Sequence, residues 1–156
     1  MERVRIVNDR GYYKLITLVP VLPGEVIFRC SEDEVTPERT LRTIQIGSRT
    51  HLQNDFLDFI NHACFPSSVF EPERLAFVAR QGLESGSEVT FFYPGTETRL
   101  AHEFECNCAH PDCLGYIVGG LELRSDQMRA ALDRGLCTPF VADRLRQVLA
   151  QSVVAR

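Results

Sequence analysis

Cys106-Asn107-Cys108 followed by Cys113 constrains this chain more than any other stretch. The three cysteines sit among glycine, proline, asparagine and aspartate, with no strand or helix pattern to hold them. A loop of that kind buries little apolar surface and needs a staple. Closely spaced thiolates can supply three ligands of a tetrahedral zinc ion, and the ion's binding energy then becomes folding energy. The array is one ligand short. A complete set of four thiolates leaves no open position, so the expected zinc is structural and not catalytic. Cys30 and Cys137 lie in apolar contexts and read as buried thiols. Unrelated thiols or a redox site are the alternatives for the array, but crowding of this kind favours a metal in a reducing compartment.

The chain has 156 residues, enough for one hydrophobic core. Its net charge of −4 lacks the basic excess of a nucleic-acid binder and suits a cationic partner. Charges interrupt Met1-Glu2-Arg3-Val4-Arg5-Ile6 at once, leaving no signal core, and no window has the length of a membrane span. The expected location is intracellular and cytoplasmic, with the nucleus left open, and without contact to membrane or nucleic acid.

Period-two alternation predicts strands with one buried face around Val4 and Ile6, Ile44 and Ile46, Leu75 to Ala79, and Val89 to Tyr93. Turn residues such as Pro23-Gly24, Gly82 and Pro94-Gly95 separate them. A helix is expected over about residues 51–60, from the spacing of Leu52, Phe56, Leu57 and Ile60. After Leu121 the pattern turns helical. Ser125 is the expected cap of one helix, which stops at Gly135. Thr138-Pro139 starts a second, with Val141, Leu145, Val148 and Leu149 on its apolar face. This hairpin either covers the chain's own core or builds a homodimer, and the first is favoured.

Three segments together resemble the SET family of protein-lysine methyltransferases. Phe59-Ile60-Asn61-His62-Ala63-Cys64-Phe65-Pro66 is similar to its Asn-His-x-Cys-x-Pro signature. Gly86-Ser87-Glu88-Val89-Thr90-Phe91-Phe92-Tyr93 is similar to the strand that ends in its catalytic tyrosine. Cys106 to Ile117 is similar to the post-SET zinc motif. Leu22-Pro23-Gly24-Glu25-Val26-Ile27 is a weaker match to an N-terminal strand start.

The resemblance implies a mainly β (α+β) fold of several small sheets, with a knot-like crossing, a post-SET zinc loop and a C-terminal helical hairpin. It divides the chain into a SET domain over 1–98 with a variable insert at about 30–56, a post-SET segment over 99–121, and helices over 122–156. It makes Cys64 the fourth zinc ligand beside Cys106, Cys108 and Cys113. It implies that Tyr93 is the catalytic residue, and that Asn61, His62, Tyr13, Phe104 and Tyr116 bind S-adenosylmethionine. The implied acceptor is a lysine side chain of a protein or peptide, attacking as a neutral amine in a narrow apolar channel. Alignment and electrostatics then carry most of the rate.

The chain departs from the family pattern in three places. The glycines of a Gly-x-Gly turn near the methyl donor are replaced by Tyr12 and Lys14. Phe28-Arg29-Cys30 stands where a channel tyrosine is common, and Ser67 stands where asparagine often follows the Cys-x-Pro. These changes leave two other readings open. One is a SET fold repurposed for small-molecule binding, rearrangement or cyclisation. The other is a zinc-stabilised dimeric interaction module.

Overall fold

A computed structural model describes residues 2–154. β1 (Val4–Asp9) and β2 (Tyr12–Thr17) form an antiparallel hairpin. Arg10 and Gly11 both take positive φ, 53° and 94°, in the tight turn between them. A two-residue hairpin loop favours that conformation, and glycine adopts it without cost. The turn thus falls on Gly11, and Tyr12 and Lys14 become strand residues. β3 (Val26–Arg29) follows, then a small antiparallel sheet of β4 (Val35–Thr36), β5 (Thr43–Gly47) and β6 (Thr50–Gln53) in the order β4-β6-β5.

β7 (Asn61–His62) is followed by the hairpin β8 (Ser68–Glu71) and β9 (Ala76–Ala79), and β9 pairs with β3. β10 (Thr90–Phe91) returns beside β7 in parallel. β11 (Phe104–Glu105) and β12 (Tyr116–Ile117) flank the cysteine loop. The chain ends in α1 (Ser125–Asp133) and α2 (Pro139–Val154). Small sheets and two C-terminal helices match the expected fold.

Two apolar clusters hold these pieces together. The larger joins the sheets through Leu15, Ile27, Leu52, Ile60, Phe77 and Val89, all fully buried. The second gathers Met128, Ala131, Leu136, Val141 and Leu145 of the hairpin around Phe92 and Leu123. The helices therefore cover part of their own chain. They seat on Phe92 and on Leu114, Val118, Leu121 and Leu123, not on a sheet face.

Local details differ from expectation at four places. Residues 51–60 are not a helix. Leu52 pairs with Val35 and Ile44 in the sheet, and only Leu57–Phe59 makes a short 3-10 turn. The Asn54 side chain accepts the Phe56 N–H at 2.9 Å, a local bond that competes with helix. β9 is buried on both faces, because β3 and β8 flank it inside the core. Ser125 is the first helical residue of α1 rather than its cap, and Gln127 satisfies the Arg124 N–H at 3.0 Å. Tyr93 leaves the strand and opens a 3-10 turn, Tyr93–Gly95.

Candidate functional site

The parallel pairing of β7 with β10 brings the two signature segments side by side. Asn61 opposes Thr90 and His62 opposes Phe91, and the Ala63 N–H reaches the Phe91 carbonyl at 3.1 Å. Ser67 fastens the same junction. Its hydroxyl donates to the Glu88 carbonyl at 3.0 Å and accepts the Thr90 N–H at 2.9 Å. Serine thus has a defined task at the position where the family often has asparagine.

A cleft of about 480 Å³ opens beside this junction, walled by Tyr12, Asn61, His62, Tyr93, Phe104 and the Glu105–Cys108 segment. The Asn61 amide donates to the Tyr13 carbonyl and to Glu88 Oε1, both at 2.9 Å. The Tyr12 hydroxyl donates to the same Glu88 oxygen at 2.9 Å. Strand alternation puts Tyr12 on the cleft side of β2, while the Tyr13 ring packs on Phe59 with centroids 5.8 Å apart. Tyr13 therefore contributes its backbone carbonyl, and Tyr12 contributes the side chain. Tyr116 pairs with Glu105 and is half exposed, outside the cleft wall. Lys14 is also absent from that wall.

Tyr93 and Phe104 have a second cleft on their other side. It measures about 220 Å³ and lies between Thr40–Ile44 and Leu100–His102. The Tyr93 hydroxyl donates to the Ile60 carbonyl at 2.8 Å. Burial raises its pKa far above the usual phenol value, and the carboxylates Asp58 and Glu88 and the Tyr12 phenol, when ionised, push the same way. The phenol stays protonated at neutral pH and cannot serve as a base there. Burial likewise pushes His62 down to about 4, so its ring is neutral. His62 Nδ1 accepts the Tyr93 N–H at 3.2 Å, which leaves the proton on Nε2, 3.4 Å from Cys64 Sγ. One neutral imidazole thus links the Tyr93 turn to the cysteine cluster.

In that cluster the sulfurs of Cys64, Cys106, Cys108 and Cys113 all lie within 4.8 Å of one another. Cys64 is 3.9 Å from both Cys106 and Cys113. Ligands at about 2.3 Å in a tetrahedron sit about 3.8 Å apart, so the four thiols fit a zinc ion. The Leu114 N–H points at Cys64 Sγ (3.4 Å) and the Gly115 N–H at Cys113 Sγ (3.3 Å), the outer-shell bonds that favour thiolate ligands. Burial and the neighbouring sulfurs raise the Cys64 thiol, a cost that a dication at the centre reverses. Cys30 and Cys137 lie apart from the set, and burial raises them to about 12 and 11.

The C-terminal hairpin braces this loop. Arg134 donates to the Cys64 carbonyl at 2.8 Å, and its guanidinium lies 3.9 Å over the Phe65 ring. That ring stacks on His110. Tyr12, Glu88 and Arg134 were not among the residues expected from sequence. Tyr12 and Glu88 lie inside segments already singled out, whereas nothing in the sequence connects Arg134 to Cys64.

A family model for the SET domain matches residues 3–94. The chain belongs to the SET-domain family. It is 31% identical to the protein named Methyltransferase flvH of Aspergillus flavus over 133 residues, 83% of this chain and 72% of that one. A SET-domain segment of 64 residues is 36% identical to the variant-silencing SET domain-containing protein of Plasmodium falciparum, covering 37% of this chain and 2% of that one. Among solved structures, the methyltransferase domain of human histone-lysine N-methyltransferase SETMAR superposes with a TM-score of 0.52 at 16% identity, over 70% of this SET chain and 55% of that chain. The likeness to SETMAR shows the fold alone. Among the described residues, no helix of this SET chain is long and apolar enough to cross a membrane.

Proposed function

We propose that this chain transfers the methyl group of S-adenosylmethionine to the amine of a protein lysine. A structural zinc ion would be held by Cys64, Cys106, Cys108 and Cys113. The observation that carries the reading is the position of Tyr93 and Phe104 as the common wall of two clefts. One cleft has the polar groups that suit a donor, and the other is narrow and mostly apolar, as an acceptor side chain requires.

Asn61 and the Tyr12–Glu88 pair hold the polar end of the donor side, and Phe104 offers an aromatic face. When bound, the donor supplies a methyl group on a positively charged sulfur. The surrounding Glu88 and Asp58 favour the arrival of positive charge near Tyr93. Tyr93 donates its proton to Ile60, so its oxygen lone pairs are free to accept from the acceptor amine. Apolar walls disfavour the ammonium and help it lose its proton before attack. The protein's part is alignment, desolvation and electrostatics. A cluster of reduced thiols also suits an intracellular location.

Calorimetric titration of S-adenosylmethionine into zinc-replete protein tests the donor. Micromolar one-site binding that weakens in Asn61→Ala is expected, with mass-detected methylation of lysine peptides. Folded, zinc-loaded protein that ignores millimolar donor would remove the methyltransferase reading.

A further inference from the structure

Among the described residues, Glu97 is the one carboxylate in the wall of the acceptor cleft. The residue is 8% exposed. Its Oε1 accepts the Gln45 N–H of β5 at 2.6 Å. Its Oε2 has no hydrogen bond among the described residues, and the residue lines the cleft. No arginine, lysine or histidine nitrogen of the described residues forms an ion pair with it. Arg39 acts on it from a distance while donating to the Arg99 carbonyl, and Arg42 is tied to Asp58 at 3.4 Å. His102 and Tyr93 are the titratable rings in the wall.

A carboxylate in such a place is costly without a cation. Burial pushes the Glu97 carboxyl up to about 8. The proximal architecture does not require the charge. Gln45 Oε1 separately accepts from the Thr98 N–H (3.1 Å) and hydroxyl (2.7 Å), and the Gly120 N–H uses the Glu97 backbone carbonyl. A neutral amide oxygen at position 97 could accept the Gln45 N–H equally well. The ionised form is what lacks an internal partner, so a cation arriving at Glu97 takes the place of the proton that burial retains, and that proton passes to solvent.

Glu97 follows the Tyr93 turn closely, its N–H donating to the Tyr93 carbonyl at 3.1 Å. The two side chains part from there: the Tyr93 hydroxyl bonds Ile60, whereas the Glu97 carboxyl bonds Gln45 of β5, so they serve different parts of the cleft.

Resting on the proposed amine-methylating function, we propose that Glu97 is a specificity residue that binds a second cationic group of the acceptor. The preferred substrate then carries two positive groups: the amine presented to Tyr93, and a guanidinium or ammonium that bonds Glu97 Oε2 along the cleft. Lysine segments with a nearby arginine or lysine are the matching class. The net charge of −4 favours their approach.

The test uses lysine peptides with one arginine placed one to four residues to either side, each beside a twin with citrulline in its place. Citrulline keeps the shape and removes the charge. Affinities are measured by calorimetry on zinc-replete wild type and on Glu97→Gln, with donor binding and thermal melting on the same samples. The expected result is at least one register in which wild type prefers arginine roughly 10–100-fold. That preference should disappear in Glu97→Gln while donor affinity is kept. Equal affinity for both twins in every register, an unchanged preference in the folded variant, or no peptide binding at all would each overturn the proposal. Charge-selective binding without methyl transfer would sustain Glu97 and count against the proposed function alone. Methyl transfer without charge selection would do the reverse.

Discussion

Adding one methyl group at Gly95 should detach the C-terminal hairpin from the Tyr93–Gly95 turn. Gly95 closes the turn that begins at Tyr93, and its carbonyl accepts the Thr138 N–H at 2.9 Å. A Cβ there would overlap the Leu136 carbonyl oxygen, stand 2.9 Å from the Leu136 carbonyl carbon and 3.3 Å from Cys137 Cα. All three are backbone atoms, so no side chain can swing away. The two chains must part, which strains the Gly95–Thr138 bond and loosens Leu136, Val141 and Leu145 from Phe92. Overpacking costs about 1–3 kcal/mol, and the hydrogen bond adds about 1 kcal/mol. Gly95→Ala should therefore lose roughly 2–4 kcal/mol, a drop of roughly 4–16 °C in Tm for a domain of this size. Gly82→Ala is the control, since a Cβ there meets nothing within 4 Å. Urea unfolding of both variants, with limited proteolysis to find which segment opens, measures the effect. A Gly95→Ala midpoint equal to wild type, or cuts confined to the N-terminal sheets, would refute the close-approach argument.

Cys64→Ser and Cys108→Ser should each lower zinc content and thermal stability together, read by metal analysis and melting. Full zinc occupancy in either variant would remove that cysteine from the ligand set. Tyr93→Phe should bind donor normally and lose methyl transfer by roughly 100-fold or more. It should also lose about 1–3 kcal/mol of stability, because the Ile60 carbonyl is left unpaired. An active Tyr93→Phe protein would end the role given to that phenol. Glu97 should leave a signature in stability against pH. Its folded pKa is raised to about 8 from an ordinary value of 4.5, so the folded state holds the proton more tightly. The contribution to stability is full below the unfolded value and is lost as pH rises from about 4.5 through about 8. Unfolding at pH 5 and pH 8 should show wild type losing ground to Glu97→Gln. A difference that stays constant between those pH values would contradict the burial argument.

The sequence by itself determined the family, the sheet-rich architecture and the residue types at the centre of the site. Those are carried by short local strings, and a string such as Cys106-Asn107-Cys108 implies its chemistry wherever it sits. It also determined the C-terminal helix pair, because a proline start and a 3.6-residue apolar stripe are local signals. The strand and 3-10 turn over 50–59 were hidden, since Leu52, Phe56 and Leu57 satisfy a helical spacing and a strand-then-turn equally well. Only pairing with Val35 and Ile44 decides between them.

Tertiary structure alone decided which tyrosine of Tyr12-Tyr13 faces the cleft beside Asn61. A one-residue change of register reverses every side chain of a strand, and the Arg10-Gly11 turn sets that register. It also decided that Arg134 bonds the Cys64 carbonyl, 70 residues away in sequence. The same holds for Glu97, which stands buried without an ion-pair partner among the described residues, in a cleft built jointly by residues 40–44 and the segment after Tyr93. Burial and the absence of a counter-charge are properties of all the surrounding chain at once, and no local stretch of sequence contains them.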